Sequence, residues 1–134
     1  MERTFAIIKP DAMEAGYAAA IIDVIKNHGF KIVAKEQRHL SREEVEEFYA
    51  EHKERSFFPE VVTFMTSGPV TLIALEKKDA IKGWRDLMGA TDPAQAAEGT
   101  IRKQFGRSKG NNATHGSDSP ASAARELAFF FPSL

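Results

Sequence analysis

The chain has 134 residues, enough for one domain with a closed apolar core and too few for two. Hydrophobic residues make up 43%, as in ordinary globular proteins, and the absence of cysteine excludes disulfides and thiolate metal sites. With 18 basic and 19 acidic residues the net charge is −1, which argues against nucleic acid as the main partner.

Met1-Glu2-Arg3-Thr4 leads straight into an apolar run, with no basic segment ahead of a long apolar one. No secretory signal is therefore expected, no stretch approaches membrane-spanning length, and the expected location is the cytoplasm. Phe5-Ala6-Ile7-Ile8 reads as a strand buried on both faces and stopped at Lys9-Pro10-Asp11. Ala18, Ile21, Ile22 and Ile25 recur at helical spacing, and Asn27-His28-Gly29 supplies the stop. Residues 30–37 read as a second strand. Ser41 with Glu44 is a capping box opening a helix whose apolar face is Val45, Phe48 and Tyr49. Phe58, Val61, Val62 and Met65 form a further helical piece, closed by Ser67-Gly68-Pro69. Residues 70–75 read as a third strand, and Asp79 as the cap of a helix carrying Ile81, Trp84, Leu87 and Met88.

From 89 to 114 periodicity fades among Pro93, Gly99, Gly106, Gly110 and Asn111-Asn112, so a long irregular excursion is expected there. Between Gly99 and Ser117 no residue is acidic, whereas Arg102, Lys103, Arg107 and Lys109 are basic; the balanced total hides a local positive patch. A short strand near His115 follows. Ser119-Pro120 then opens a last helix with an apolar face of Ala123, Leu127, Phe130 and Phe131. The order predicts an α+β, ferredoxin-like βαββαβ domain over 1–134, with a four-stranded antiparallel sheet and additional helices.

No P-loop, GxGxxG or HExxH motif is present, so phosphate would have to be handled by side chains. His115, in His-Gly-Ser-Asp-Ser, is a candidate nucleophile, because neutral imidazole attacks near pH 7 and its phosphoramidate can pass the group on. Gly116 beside it suggests a tight turn and close substrate approach. A phosphoryl group in transfer needs several cations, and the upstream basic stretch supplies them. Glu126 suits either a partner for the second imidazole nitrogen or a solvated helix face. Lys9 suits either a site at a strand end or a charged sheet edge. Arg85 suits a solvated face, and Phe57, outside the apolar stripe, suits stacking on a base.

These features resemble the nucleoside diphosphate kinase family. The resemblance is carried by Glu2-Arg3-Thr4-Phe5, Ile8-Lys9-Pro10-Asp11, Phe57-Phe58 and Thr66-Ser67-Gly68-Pro69. It continues through Arg85, Gly89-Ala90-Thr91-Asp92-Pro93, Gly99-Thr100-Ile101-Arg102 and residues 112–119. It implies γ-phosphoryl transfer from a nucleoside triphosphate such as ATP or GTP to a diphosphate such as ADP. The route would be ping-pong through phosphohistidine at His115, with broad base tolerance. By the same resemblance Glu126 orients His115 and Ser117 supports it. Lys9, Tyr49, Arg85, Thr91 and Arg102 hold phosphates, Lys9 and Asn112 meet the sugar, and Phe57 and Val61 sandwich the base. Mg²⁺ would ride on the nucleotide's phosphates without direct protein ligands. Ala12-Met13 and Asn111 depart from many relatives, and the short tail suggests a bacterial-type member. A dimer-based homo-oligomer is implied, a tetramer ahead of a hexamer. Consecutive Phe129, Phe130 and Phe131 point the same way, since successive helical residues turn by about 100° and cannot share one core.

A regulatory nucleotide-binding module, a polynucleotide binder using 102–109 and a phosphohistidine hydrolase each suit part of the pattern. None gives Lys9, Arg85, Arg102 and His115 a shared purpose as phosphoryl transfer does.

Overall fold

The computed structural model describes residues 1–134. Its sheet has the order β2-β3-β1-β4, with every neighbouring pair antiparallel. β1 (Glu2–Ile8) lies inside, between β3 (Val70–Lys77) and the three-residue β4 (Thr114–Gly116). β2 (Lys31–Arg38) forms the far edge, with an irregularity between Ile32 and Ala34. This is the expected four-stranded ferredoxin-like sheet.

Phe5, Ala6, Ile7 and Ile8 are fully buried because helices cover both faces of β1. Alternate residues serve alternate cores. Ala6 and Ile8 pack with α2 (Ala18–Asn27), α5 (Ala80–Met88) and the short α6 (Ile101–Phe105) through Ile21, Ile25, Trp84 and Ile101. Phe5 and Ile7 pack with α3 (Arg42–Phe48), α4 (Phe58–Met65) and α7 (Pro120–Phe130) through Val45, Phe48, Val62 and Phe130. Each such large side chain removed from water contributes about 1.5–3 kcal/mol. The Ser41–Glu44 capping box forms in both directions, at 3.1 and 2.9 Å.

Several local expectations are corrected. Asp79 occupies the position before α5 but is left-handed (φ 54°), and its side chain caps nothing. The Glu2 carboxylate accepts from the Ile81 N–H instead, at 2.9 Å. Lys9-Pro10-Asp11 does more than stop a strand, for it starts α1 (Pro10–Glu14) with proline in the first turn. The 89–114 excursion holds a 3-10 turn at Pro93–Gln95 and also α6. Thr100 caps α6, accepting from Lys103 N–H at 3.3 Å, while Ile101 and Phe105, one turn apart, are buried. Phe131 lies beyond α7, with φ −128° and ψ 62°. That break lets Phe131 pack half-buried against the same core as Phe130, as Phe129 does from within α7, so the three rings do not by themselves demand a second subunit.

Candidate active site

β4 places His115 directly opposite Ile7, and paired residues of an antiparallel ladder share a face. The imidazole therefore stands on the α3–α7 side, edge-on to the rings of Phe48, Tyr49 and Phe5 at 5.4, 6.2 and 6.3 Å. Its backbone carbonyl accepts from Trp84 Nε1 at 3.2 Å. Gly116 owes its identity to this packing: a Cβ there would lie 2.5 Å from Trp84 Cδ1 and 2.6 Å from Met88 Cε. Its φ is not positive, so close approach to α5 replaces the expected reason of a tight turn and substrate access.

Glu126 is 4% exposed, which sets aside a solvated helix face. A buried carboxylate is costly unless partnered, and this one has partners. Oε1 lies 3.2 Å from His115 Nε2 and accepts from Ser117 Oγ at 2.7 Å. Ser117 Oγ in turn accepts from the Phe5 N–H at 3.3 Å, tying the carboxylate to the central strand. Oε2 lies 3.5 Å from Arg125 Nη2. With Nε2 facing a carboxylate, that nitrogen carries the ring proton, and Nδ1 keeps its lone pair free of protein partners. Burial first, and the Glu126 charge second, push the Tyr49 phenol well above its ordinary 10, so it stays a neutral O–H. A cleft of about 180 Å³ opens here, lined by Tyr49, His52, Arg85, His115, Asp118 and Arg125.

A second cluster sits at the end of β1. Lys9 Nζ donates to Asn112 Oδ1 at 2.8 Å, and Asn112 Nδ2 donates to Thr91 O at 3.1 Å. Burial, then the neighbouring Arg102, pull the Lys9 amine down to about 8, with Asp11 opposing. Arg102 donates from Nη1 to Gly89 O and from Nη2 to Thr114 O, both at 3.0 Å. Burial and Arg85 bring its guanidinium to about 10, which leaves it charged at neutral pH. The Lys9 alternative is thereby decided for a buried, networked amine over an edge charge.

The structure thus brings together His115, Glu126, Ser117, Tyr49 and Arg85 in one group, and Lys9, Thr91, Arg102 and Asn112 in another. β4 joins the two. Phe57 and Val61 stand apart on the first turn of α4, where the Val61 N–H bonds Phe57 O at 3.1 Å. Phe57 is 45% exposed and reaches the cleft through His52, whose ring lies 5.8 Å from it and 6.5 Å from Tyr49. Residues not anticipated from the sequence include His52, Asp118 and Arg125 on the cleft wall and the buried Asp11. Arg125 had a signal in its adjacency to Glu126, and Asp11 in its place within Lys-Pro-Asp.

A family model described as nucleoside diphosphate kinase matches residues 2–134. A protein of Sorangium cellulosum named nucleoside diphosphate kinase is 55% identical over 131 residues, 98% of this chain and 91% of the relative. One of Deinococcus radiodurans with the same name is 56% identical over 131 residues, 98% and 95% of the two chains. The solved Aquifex aeolicus nucleoside diphosphate kinase superposes with TM-score 0.95 at 49% identity, covering 97% of this chain and 94% of its own. A halophilic nucleoside diphosphate kinase from Halobacterium salinarum, solved in complex with CDP, gives 0.94 at 42% identity, covering 97% and 87%.

Proposed function

The chain belongs to the nucleoside diphosphate kinase family and moves the γ-phosphoryl group of a nucleoside triphosphate to a nucleoside diphosphate, and we propose that it does so through a phosphate carried on His115 Nδ1. The observation that carries this reading is the Ser117–Glu126–His115 chain, which holds Nε2 and leaves Nδ1 free.

In the first half-reaction the Nδ1 lone pair forms a bond to the γ-phosphorus, and the bond to the bridging oxygen breaks, releasing the diphosphate. In the second, a terminal oxygen of a new diphosphate attacks the same phosphorus and the P–N bond breaks. One phosphoanhydride is lost and an equivalent one made, so a single site serves both directions. The imidazole gains positive charge on attack, and the Glu126 carboxylate on Nε2 stabilises it. Arg85 and Arg102 spread charge over the phosphate oxygens, with Lys9, Thr91 and Tyr49. Arg102 commits one N–H of each Nη to a carbonyl, and its Nε is buried, which leaves the second N–H of each Nη for phosphate. Lys9 and Asn112 meet the sugar, and Phe57 and Val61 enclose the base. An apolar slot reads no hydrogen-bonding edge, which supports broad base tolerance.

Mg²⁺ is part of the same reading: carried on the nucleotide's phosphates, it would neutralise their charge. No helix is long and apolar enough to cross a membrane, and we place the enzyme in the cytoplasm with the nucleotide pool. A dimer-based homo-oligomer, a tetramer ahead of a hexamer, is part of the same reading; light scattering showing a monomer at micromolar concentration would remove it.

The test of the intermediate is incubation with γ-labelled ATP. Wild-type protein should take up acid-labile label and discharge it to a diphosphate, and His115→Ala should do neither while keeping its fold. Label persisting on His115→Ala would place the nucleophile elsewhere.

A further inference from the structure

Between Asn112 and Thr114 the chain makes a turn that an alanine does not adopt readily. Ala113 has φ 74°, and the Thr114 N–H bonds the Asn112 carbonyl at 2.9 Å, two residues back. That is the rare, strained hand of the γ-turn. A non-glycine residue in this region persists only where its surroundings impose it. Two contacts do so. The Ala113 carbonyl accepts from the Lys9 N–H at 2.8 Å, and the Ala113 N–H donates to Asp11 Oδ2 at 3.1 Å. Asp11 is 4% exposed, and its other oxygen is buried with no partner. A half-satisfied buried carboxylate is an unfavourable feature in itself, so the bond it does make has a purpose.

We propose that Asp11 is a positioning residue whose carboxylate holds Ala113 left-handed, and that this turn sets both halves of the active site. Immediately before the turn, the Asn112 amide accepts from Lys9. Immediately after it, the Thr114 carbonyl takes Arg102 and His115 falls into register with Ile7. If the turn relaxed, Asn112 would leave Lys9 and β4 would lose its fixed start. Asp11 touches neither substrate nor reacting atoms. The effect on nucleotide handling rests on the function proposed above; the effect on the turn does not.

The experiment uses full-length Asp11→Ala, Asp11→Asn and the double variant Asp11→Ala/Ala113→Gly, each assayed for equilibrium ADP binding, thermal midpoint and amide exchange at residues 113–116. Asp11→Ala should weaken ADP binding about tenfold, a change of the order of the cost of holding one strained residue, and should lose protection across 113–116. Asp11→Asn keeps an oxygen acceptor for the same N–H and should stay within about threefold of wild type. Glycine adopts positive φ without cost, so the double variant should recover ADP binding even though it removes another methyl from the core. Because Asp11→Asn and the double variant bypass the lost bond, failure of Asp11→Ala to fold leaves the comparison intact. Loss of binding that tracks the thermal midpoint, with rescue by neither asparagine nor glycine, overturns the proposal. Rescue of exchange protection without rescue of ADP binding upholds the turn and instead refutes the nucleotide roles given to Lys9 and Asn112.

Discussion

Lys9 connects stability and activity through pH with opposite signs. Its amine titrates near 8 in the fold against an ordinary 10.5, chiefly because it is buried, then because Arg102 is near. At about 1.4 kcal/mol per tenfold, the folded protein bears roughly 3 kcal/mol for keeping Lys9 charged. The folded value is the lower one, so below about 8 both states are protonated and the full penalty applies. Between about 8 and 10.5 the unfolded chain binds more protons, and stability rises with pH from this group. On the proposed role of Lys9, nucleotide capture should depend on the ammonium and fall over the same range. In the free enzyme log kcat/KM should decline with slope −1 above about pH 8, while kcat at saturating triphosphate should bend at higher pH, because bound phosphates hold the proton on Lys9. Lys9→Met is the control, since it removes the charge and keeps an apolar chain of similar reach. Its thermal midpoint should exceed wild type at pH 7, and the gap should close towards pH 10; its kcat/KM should be low with no limb near 8. A limb that persists in Lys9→Met, or a stability gap that widens with pH, would refute the reasoning.

Glu126→Gln keeps the shape but loses the charge that steadies the imidazolium, so single-turnover phosphorylation should slow by about 10²–10⁴-fold with little change in ADP affinity; a wild-type rate would make Glu126 a structural group only. Phe57→Ala should weaken nucleotides by about 1–3 kcal/mol, purines and pyrimidines alike apart from stacking strength, as read by calorimetric titration; loss confined to one base would mean edge recognition. Gly116→Ala drives a methyl into Trp84 and should cost about 1–3 kcal/mol by thermal denaturation. It should also lower kcat more than affinity, because Trp84 holds the His115 carbonyl, and undiminished turnover would disprove that coupling.

Where burial follows from local pattern, the sequence was sufficient. The runs at 5–8 and 70–75, the Ser41 box and the helix stripes stand where periodicity put them, except that Tyr49 and Phe131 fall just past the ends of α3 and α7. The failures have a common physical origin in partners distant along the chain. The α5 terminus is served by Glu2 and not by the adjacent Asp79, and nothing local distinguishes the two. α6 was hidden because five residues give too little periodicity, although Thr100 followed by Ile101 and Phe105 is a cap and a buried pair. His115, Glu126 and Lys9 were singled out by residue type, and their roles by resemblance. That Glu126 is buried beside Ser117, or that Arg102 staples Gly89 to Thr114, depends on how α7 and α6 return to β4. Asp11 stood in the Lys-Pro-Asp string, but its role was not legible there because its partner, the Ala113 N–H, lies about a hundred residues away.

The three-residue length of β4 has a consequence for mechanical precision. Its register is borrowed wholly from β1, an inner strand whose residues 4–8 are fully buried, so the imidazole is seated on the core. Of the cations assigned to phosphate, Lys9 follows the same strand and Arg102 is tied to Gly89 and Thr114, whereas Arg85 stands exposed on α5 and is free to adjust. Transfer demands placement within about 1 Å, whereas capture does not. On the proposed reading, adjustment to differing nucleotides would fall to the exposed Arg85 and Phe57, as a lathe's chuck adapts to the workpiece while its tool stays fixed.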